Sequence, residues 1–223
     1  MRKGDITWGG LFLCWVLILV IPPSRQIFID ITTAHPYAVA FVKFAVLATM
    51  GEFLSLRILN GRWVMPVSPV IRSVIWGLFG MLFVLIFEIF FTGVNSALSK
   101  GLLLCRDTQF TGAFFTSAIM NITFAPTFMA FHRLTDTYLD LSAKSGKEKP
   151  GLEEIINGVD WNNFISFVCL RTIPIFWIPV HTITFLLPTV YRVIAAAFLS
   201  IILGVILTFA KRKTQVVREA IFN

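Results

Sequence analysis

The residues able to do chemistry in this sequence are few and lie in hydrophobic surroundings. Glu52, Glu88, Arg171, His181 and Arg192 sit inside or at the edge of long apolar runs. An ionisable group near a bilayer centre costs roughly 2.5–3.5 kcal/mol on insertion scales, so each is expected to face other helices or water. Glu88 stands between Leu85-Ile86-Phe87 and Ile89-Phe90-Phe91 with no polar neighbour in sequence. Arg171 is the natural partner for Glu52 or Glu88, either as a buried ion pair that fixes helix register or as part of a solute path. His181 follows Pro179, where its imidazole would line a pathway or bond a carbonyl that proline leaves without a donor. Asn121, ahead of Pro126, is expected to act as structural glue between helices. Lys43, two turns into its segment, is expected to snorkel to the headgroups.

A second constellation is His132, Asp136 and Asp140, spaced i, i+4, i+8 so that they share one helix face. With Glu153 or Glu154 folded back, they would form a donor set for a divalent metal. The same residues equally describe a solvated helix end. No phosphate loop, Gly-x-Ser-x-Gly, His-Glu-x-x-His or dinucleotide fingerprint is present. No cofactor is therefore expected, and an enzyme is the minority reading.

The elements that must position these residues are transmembrane helices. The sequence is 57% hydrophobic and 14% charged, with a mean hydropathy of +0.81, an apolar excess that only a lipid-facing surface accommodates. A span needs roughly 20 apolar residues, and the runs lack the alternation of a barrel strand, so helices are expected throughout. The predicted fold is all-α: a single membrane domain over 1–223, a polytopic bundle of about six spans at 6–21, 36–59, 70–94, 111–134, 161–187 and 188–210, with a polar loop at 141–160. The first segment is short and ends at Pro22-Pro23. Because Pro22-Pro23-Ser24-Arg25 is a poor cleavage site, the segment is expected to remain as a helix, either spanning or re-entrant. Pro126 should kink the fourth span, and Pro174 and Pro179 should kink or break the fifth, which ends before Pro188. Ala196, Ser200 and Gly204 form a small-residue stripe on the sixth, suited to close helix approach.

With the N-terminus inside, Arg2, Lys3, Arg57, Arg62, Arg72, Arg133, Lys144, Lys147, Lys149, Lys211, Arg212, Lys213 and Arg218 lie on the cytoplasmic side. Only Arg25, Lys100, Arg106 and Arg192 lie opposite. This bias predicts both termini inside and accounts for the net charge of +7 without nucleic acid. The implied compartment is a bacterial cytoplasmic membrane, or an organelle inner membrane in a eukaryote. Cys14, Cys105 and Cys169 are far apart and suit small buried hydrophobes better than a disulfide or metal framework.

Several strings resemble the Mpv-seventeen and peroxisomal-membrane-protein family of small multi-pass proteins. Ala125-Pro126, Phe131-His132-Arg133 and Asp136 are similar to its Gly-Pro, Trp-Tyr-Lys and Leu-Asp pattern, with Thr135 in place of Leu. His35-Pro36 and Gly51-Glu52 resemble its His-Pro and Gly-Asp, with Leu56 where Gln is usual. Trp177, Pro179, Phe185, Pro188 and Arg192 resemble its Trp-Pro, Asn-Phe, Val-Pro and Arg signature with altered spacing and Thr184 for Asn. The likeness covers most of 34–204 and implies a divergent, bacterial-type member associated with small-solute passage. The leading expectation is therefore a small-solute channel or facilitator, embedded in the lipid bilayer, taking small solutes or ions, and capable of forming a homo-oligomer. The rival is a structural or accessory protein packing against other membrane proteins, which predicts satisfied charges and a dry interior. A metal-dependent membrane enzyme is third.

Overall fold

The computed structural model describes residues 3–103, 108–145 and 149–222, so Arg2, Cys105, Arg106 and Lys147 lie outside the described residues. The described chain is helical with no strand. Five helices are long and apolar enough to cross a membrane, and a bent helix pair raises the number to six. The protein is a multi-pass α-helical membrane protein.

Helix α1 runs Lys3–Val20 and α2 Pro22–Ala34. Ile21, extended at φ −75° and ψ 122°, separates them, with Pro22 opening α2 at the position where a missing N–H costs nothing. The first segment thus forms a full helix. The amphipathic α2, only modestly apolar, is an element that the hydrophobic pattern does not announce. Helix α3 covers Pro36–Asn60 and stops at Gly61, which takes the left-handed conformation (φ 65°) that glycine adopts without strain. Helix α4 spans Pro69–Ser99, about 46 Å at 1.5 Å per residue and longer than the ~30 Å hydrocarbon core.

Helix α5, Gln109–Thr123, starts at a capping box in which Thr108 and Thr111 exchange side-chain and backbone hydrogen bonds. Helix α6, Ala125–Ser145, follows at a bend of 46°. Pro126 sits in its first turn, so the expected kink falls just ahead of the proline. The polar connection contains the short α7, Leu152–Asn157, and Asp160 caps a single turn, α8, Trp161–Asn163, through Asn163 N–H at 3.0 Å.

For the fifth span the sequence leaves a kink or a break open. The span is not broken: Phe164–Trp177 winds as a π-helix and passes directly into α9, Ile178–Leu186. Ile178 N–H donates to Ile173 O, five residues back, and the Thr172 hydroxyl bonds Phe167 O at 3.0 Å with the same spacing. The wider turn relieves the clash that a proline ring makes with the carbonyl four residues earlier, which lets Pro174 stay inside the helix. Pro179 falls in the first turn of α9. After Pro188, α10 runs Thr189–Phe222.

The chain packs as two compact units, one of Met1–Val84 with Val193–Asn223 and one of Leu85–Arg192. In the first, α3 is central and buries Ala40, Phe44, Leu47, Ala48 and Met50. Gly80 of α4 lies so close to it that a Cβ there would stand 2.5 Å from Ala40 O. In the second unit, α5 and α9 form the closest pair, with Phe87, Val94, Ala113, Met120 and Phe185 buried around them.

Candidate functional site

The polar heart of the second unit is the α5–α9 contact. The inward face of α5 carries Gly112, Ala113, Thr116, Ser117, Met120 and Asn121, mostly small residues that allow close backbone approach. Across from it α9 buries His181, Thr182, Thr184 and Phe185. The Ser117 hydroxyl donates to Ile178 O at 2.7 Å, and the Thr182 hydroxyl donates to the same carbonyl at 2.7 Å. Asn121 Nδ2 donates to Ser117 O at 2.8 Å and lies 3.0 Å from His181 Nδ1. His181 Nδ1 also lies 3.2 Å from Asn121 Oδ1, so the Asn121 amide meets the ring whichever nitrogen carries the proton. The Trp177 indole stacks on the His181 ring with centroids 5.0 Å apart, and Phe87 meets it edge-on at 5.7 Å. Ser117 is committed to a carbonyl and Asn121 stands between it and His181, so the trio is hydrogen-bonded glue rather than an activated nucleophile.

Arg192 closes the C-terminal end of α9. Its Nε donates to Leu187 O at 3.1 Å and Nη2 to Phe185 O at 3.3 Å, where a cation also opposes the negative end of the helix dipole. The guanidinium lies 3.8 Å from the Phe91 ring centroid, within the range of a cation–π contact. Glu88 acts electrostatically on Arg192 and accepts a hydrogen bond from Thr92 at 2.9 Å. The second unit therefore gathers Glu88, His181 and Arg192 around Phe87, Phe91 and Phe185.

In the first unit, Glu52 accepts the Trp76 indole N–H at 2.8 Å. Lys43 is only 1% exposed, which overturns its reading as a snorkelling side chain. Thr32 of α2 folds over it, with Nζ 3.0 Å from the hydroxyl, and the Phe28 ring covers it at 4.2 Å. Asp5 ties α1 to α3, receiving Arg57 Nε at 3.1 Å and Trp63 Nε1 at 2.9 Å. Trp8 adds a bond to Met50 O at 2.9 Å. None of these contacts was foreseen. Asp5, the lone acid of α1 and just ahead of the apolar segment at 6–21, is the available signal.

Glu52 belongs to the first unit, and within the second Arg171 makes no ion pair with Glu88. The arginine is exposed on the π-helical stretch and makes no ion pair among the described residues. His132 Nε2 and Asp136 Oδ2 pair at 3.6 Å, but no group of three His, Cys, Asp or Glu among the described residues is placed to hold a metal ion. His132, Asp136 and Asp140 are thus not assembled as a metal centre, although α7, which carries Glu153 and Glu154, packs against α6. The small-residue stripe serves the fold itself: Ala196 is buried, the Ser200 hydroxyl bonds Ala197 O at 2.7 Å, and a Cβ at Gly204 would stand 2.7 Å from Ser55 Oγ of α3. No family model, curated protein or solved structure matches this chain.

Proposed function

We propose that this chain is a divergent Mpv-seventeen-like membrane protein that works as an accessory subunit, packing against another membrane protein through its fifth span, with both termini cytoplasmic. The observation that carries this reading is Arg171, exposed at membrane depth without an ion-pair partner among the described residues. Lys43, Asn121, His181 and Arg192 are by contrast satisfied within their own units. A guanidinium facing hydrocarbon is costly enough that a partner acceptor, protein or water, must cover it. The test is a photo-crosslinking side chain at position 171, activated in native membranes. A protein adduct of one defined mass supports the subunit reading, and adducts with lipid alone count against it.

A second reading, a small-solute facilitator, draws on the same stretch. A wide π-helical turn with exposed Arg171 and Pro174 suits a wall of a wet path better than a lipid-facing surface. Single cysteines at 171 and 181 discriminate. Labelling of both by an aqueous reagent, with flux of a small solute into liposomes, favours the facilitator. Protection at 181 with no flux favours the subunit.

A further inference from the structure

We infer that the first unit holds one anionic phospholipid, its acyl chain in the groove between α1 and α10 and its headgroup at Arg57. The groove is about 410 Å³ and almost wholly apolar, lined on α1 by Trp8, Phe12 and Val16 and on α10 by Phe198, Ile201 and Ile202. Taking the ~30 Å³ that a water molecule occupies as the size of a methylene, the volume corresponds to roughly 14 groups, one fatty acyl chain. Its α1 wall continues to Val20, about 18 Å at 1.5 Å per residue, and so spans a little more than one ~15 Å leaflet.

The walls are fixed before any ligand enters. Trp8 is held by Met50 O at 2.9 Å and stacks on Phe12 at 5.4 Å, and Phe12 meets Phe198 edge-on at 5.7 Å. Helix α1 nonetheless buries no residue, so a chain laid in the groove supplies packing that the protein does not.

Charge selects the lipid. One helical turn before Trp8, Asp5 takes only Nε of Arg57, which leaves the two terminal amino groups of the guanidinium without a hydrogen-bond acceptor among the described residues. Lys3 precedes this point on α1, and Arg62 adjoins Trp63, whose indole also reaches Asp5. Arg57, held by Asp5 one helical turn from Trp8, thus presents an open guanidinium fork, with Lys3 and Arg62 near these residues in sequence, and such a fork matches a phosphate diester. The bilayer supplies such a headgroup already joined to its acyl chain.

The experiment is native mass spectrometry of the full chain released from detergent. It would be titrated in parallel with phosphatidylglycerol and phosphatidylcholine of identical acyl chains, with circular dichroism as a control for folding. One phosphatidylglycerol is expected to survive activation, bound about tenfold more tightly than phosphatidylcholine. Arg57→Gln should abolish that preference and Arg57→Lys should keep part of it. Ile202→Trp, which fills the groove and leaves the polar staple intact, should remove the adduct for both lipids. Equal retention of the two lipids by the parent chain would overturn the assignment, as would an unchanged phosphatidylglycerol adduct in Ile202→Trp, whatever Arg57→Gln does.

Discussion

Gly80→Ala is expected to be among the most damaging single-methyl substitutions in the chain, and the same change at Gly93, on the same helix, among the most benign. A Cβ at Gly80 would lie 2.5 Å from Ala40 O and 2.7 Å from Phe44 Cβ, where ordinary contact begins at 3.4 Å. Ala40 O is backbone, so α3 and α4 must separate by some 0.9 Å rather than let a side chain turn aside. A radial gap of ~0.5–1 Å forfeits about a quarter to a half of each contact's ~0.1–0.2 kcal/mol. Ala40 and Phe44 are buried, so the loss spreads over the many atom pairs of that contact and reaches the ~1–3 kcal/mol typical of overpacking. Alanine recovers about 0.5–1 kcal/mol of helix propensity at either position. Nothing lies within 4 Å of a Cβ at Gly93, so there the gain stands alone. Unfolding of both variants in lipid bicelles should separate them by about 1–3 kcal/mol, Gly80→Ala below the parent and Gly93→Ala at or above it. If Gly80→Ala matches the parent, the α3–α4 approach is not as close as drawn.

Other outcomes follow from the polar contacts. A double-mutant cycle on Asn121→Leu and His181→Phe should give a coupling of about 0.6–1.7 kcal/mol, the range for interhelical hydrogen bonds in membranes, and a coupling near zero would refute the Asn121–His181 bond. Arg192→Met should cost about 1–3 kcal/mol, since it leaves the carbonyls of Phe185 and Leu187 without their donor, whereas Arg192→Lys should cost less because a cation remains. Asp5→Asn should leave the helical content unchanged while raising protease sensitivity near the start of α1, because it weakens the charged Arg57 contact; both side chains are partly exposed, so the loss should stay within about 1 kcal/mol. Pro126→Ala should reduce the 46° bend, read as a longer spin-label distance between positions 110 and 140.

The spans were legible because apolar length is a strong signal, and the kink at Pro126 was legible because a proline removes one bond at a known place. Helix α2 was not. Its Pro22-Pro23 start signals a turn as readily as a helix, and its 13 residues carry no long apolar run. The π-helix over 164–177 escaped for a different reason: proline in an apolar run predicts a disturbed ladder, but not whether the ladder breaks or widens. Lys43 was misjudged because its distance from the helix end was counted along α3, while the residues that cover it, Phe28 and Thr32, arrive from α2. Asn121 and His181 were each recognised as polar residues beside a proline; that they meet depends on how α5 and α9 pack, which no spacing within either segment encodes.

The division of the chain has a consequence for its biosynthesis. The second unit is one continuous stretch, Leu85–Arg192, whereas the first is assembled from both ends of the sequence. A ribosome working from the N-terminus therefore delivers everything the second unit needs, including the first turn of α10 through Arg192, before the rest of α10 is made. Until then the face of α3 around Gly51 and Ser55, which Ile201 and Gly204 finally cover, stands open to the bilayer. The first unit is thus completed after the second, and truncation within α10 beyond Arg192 should leave the second unit intact and the first unfinished.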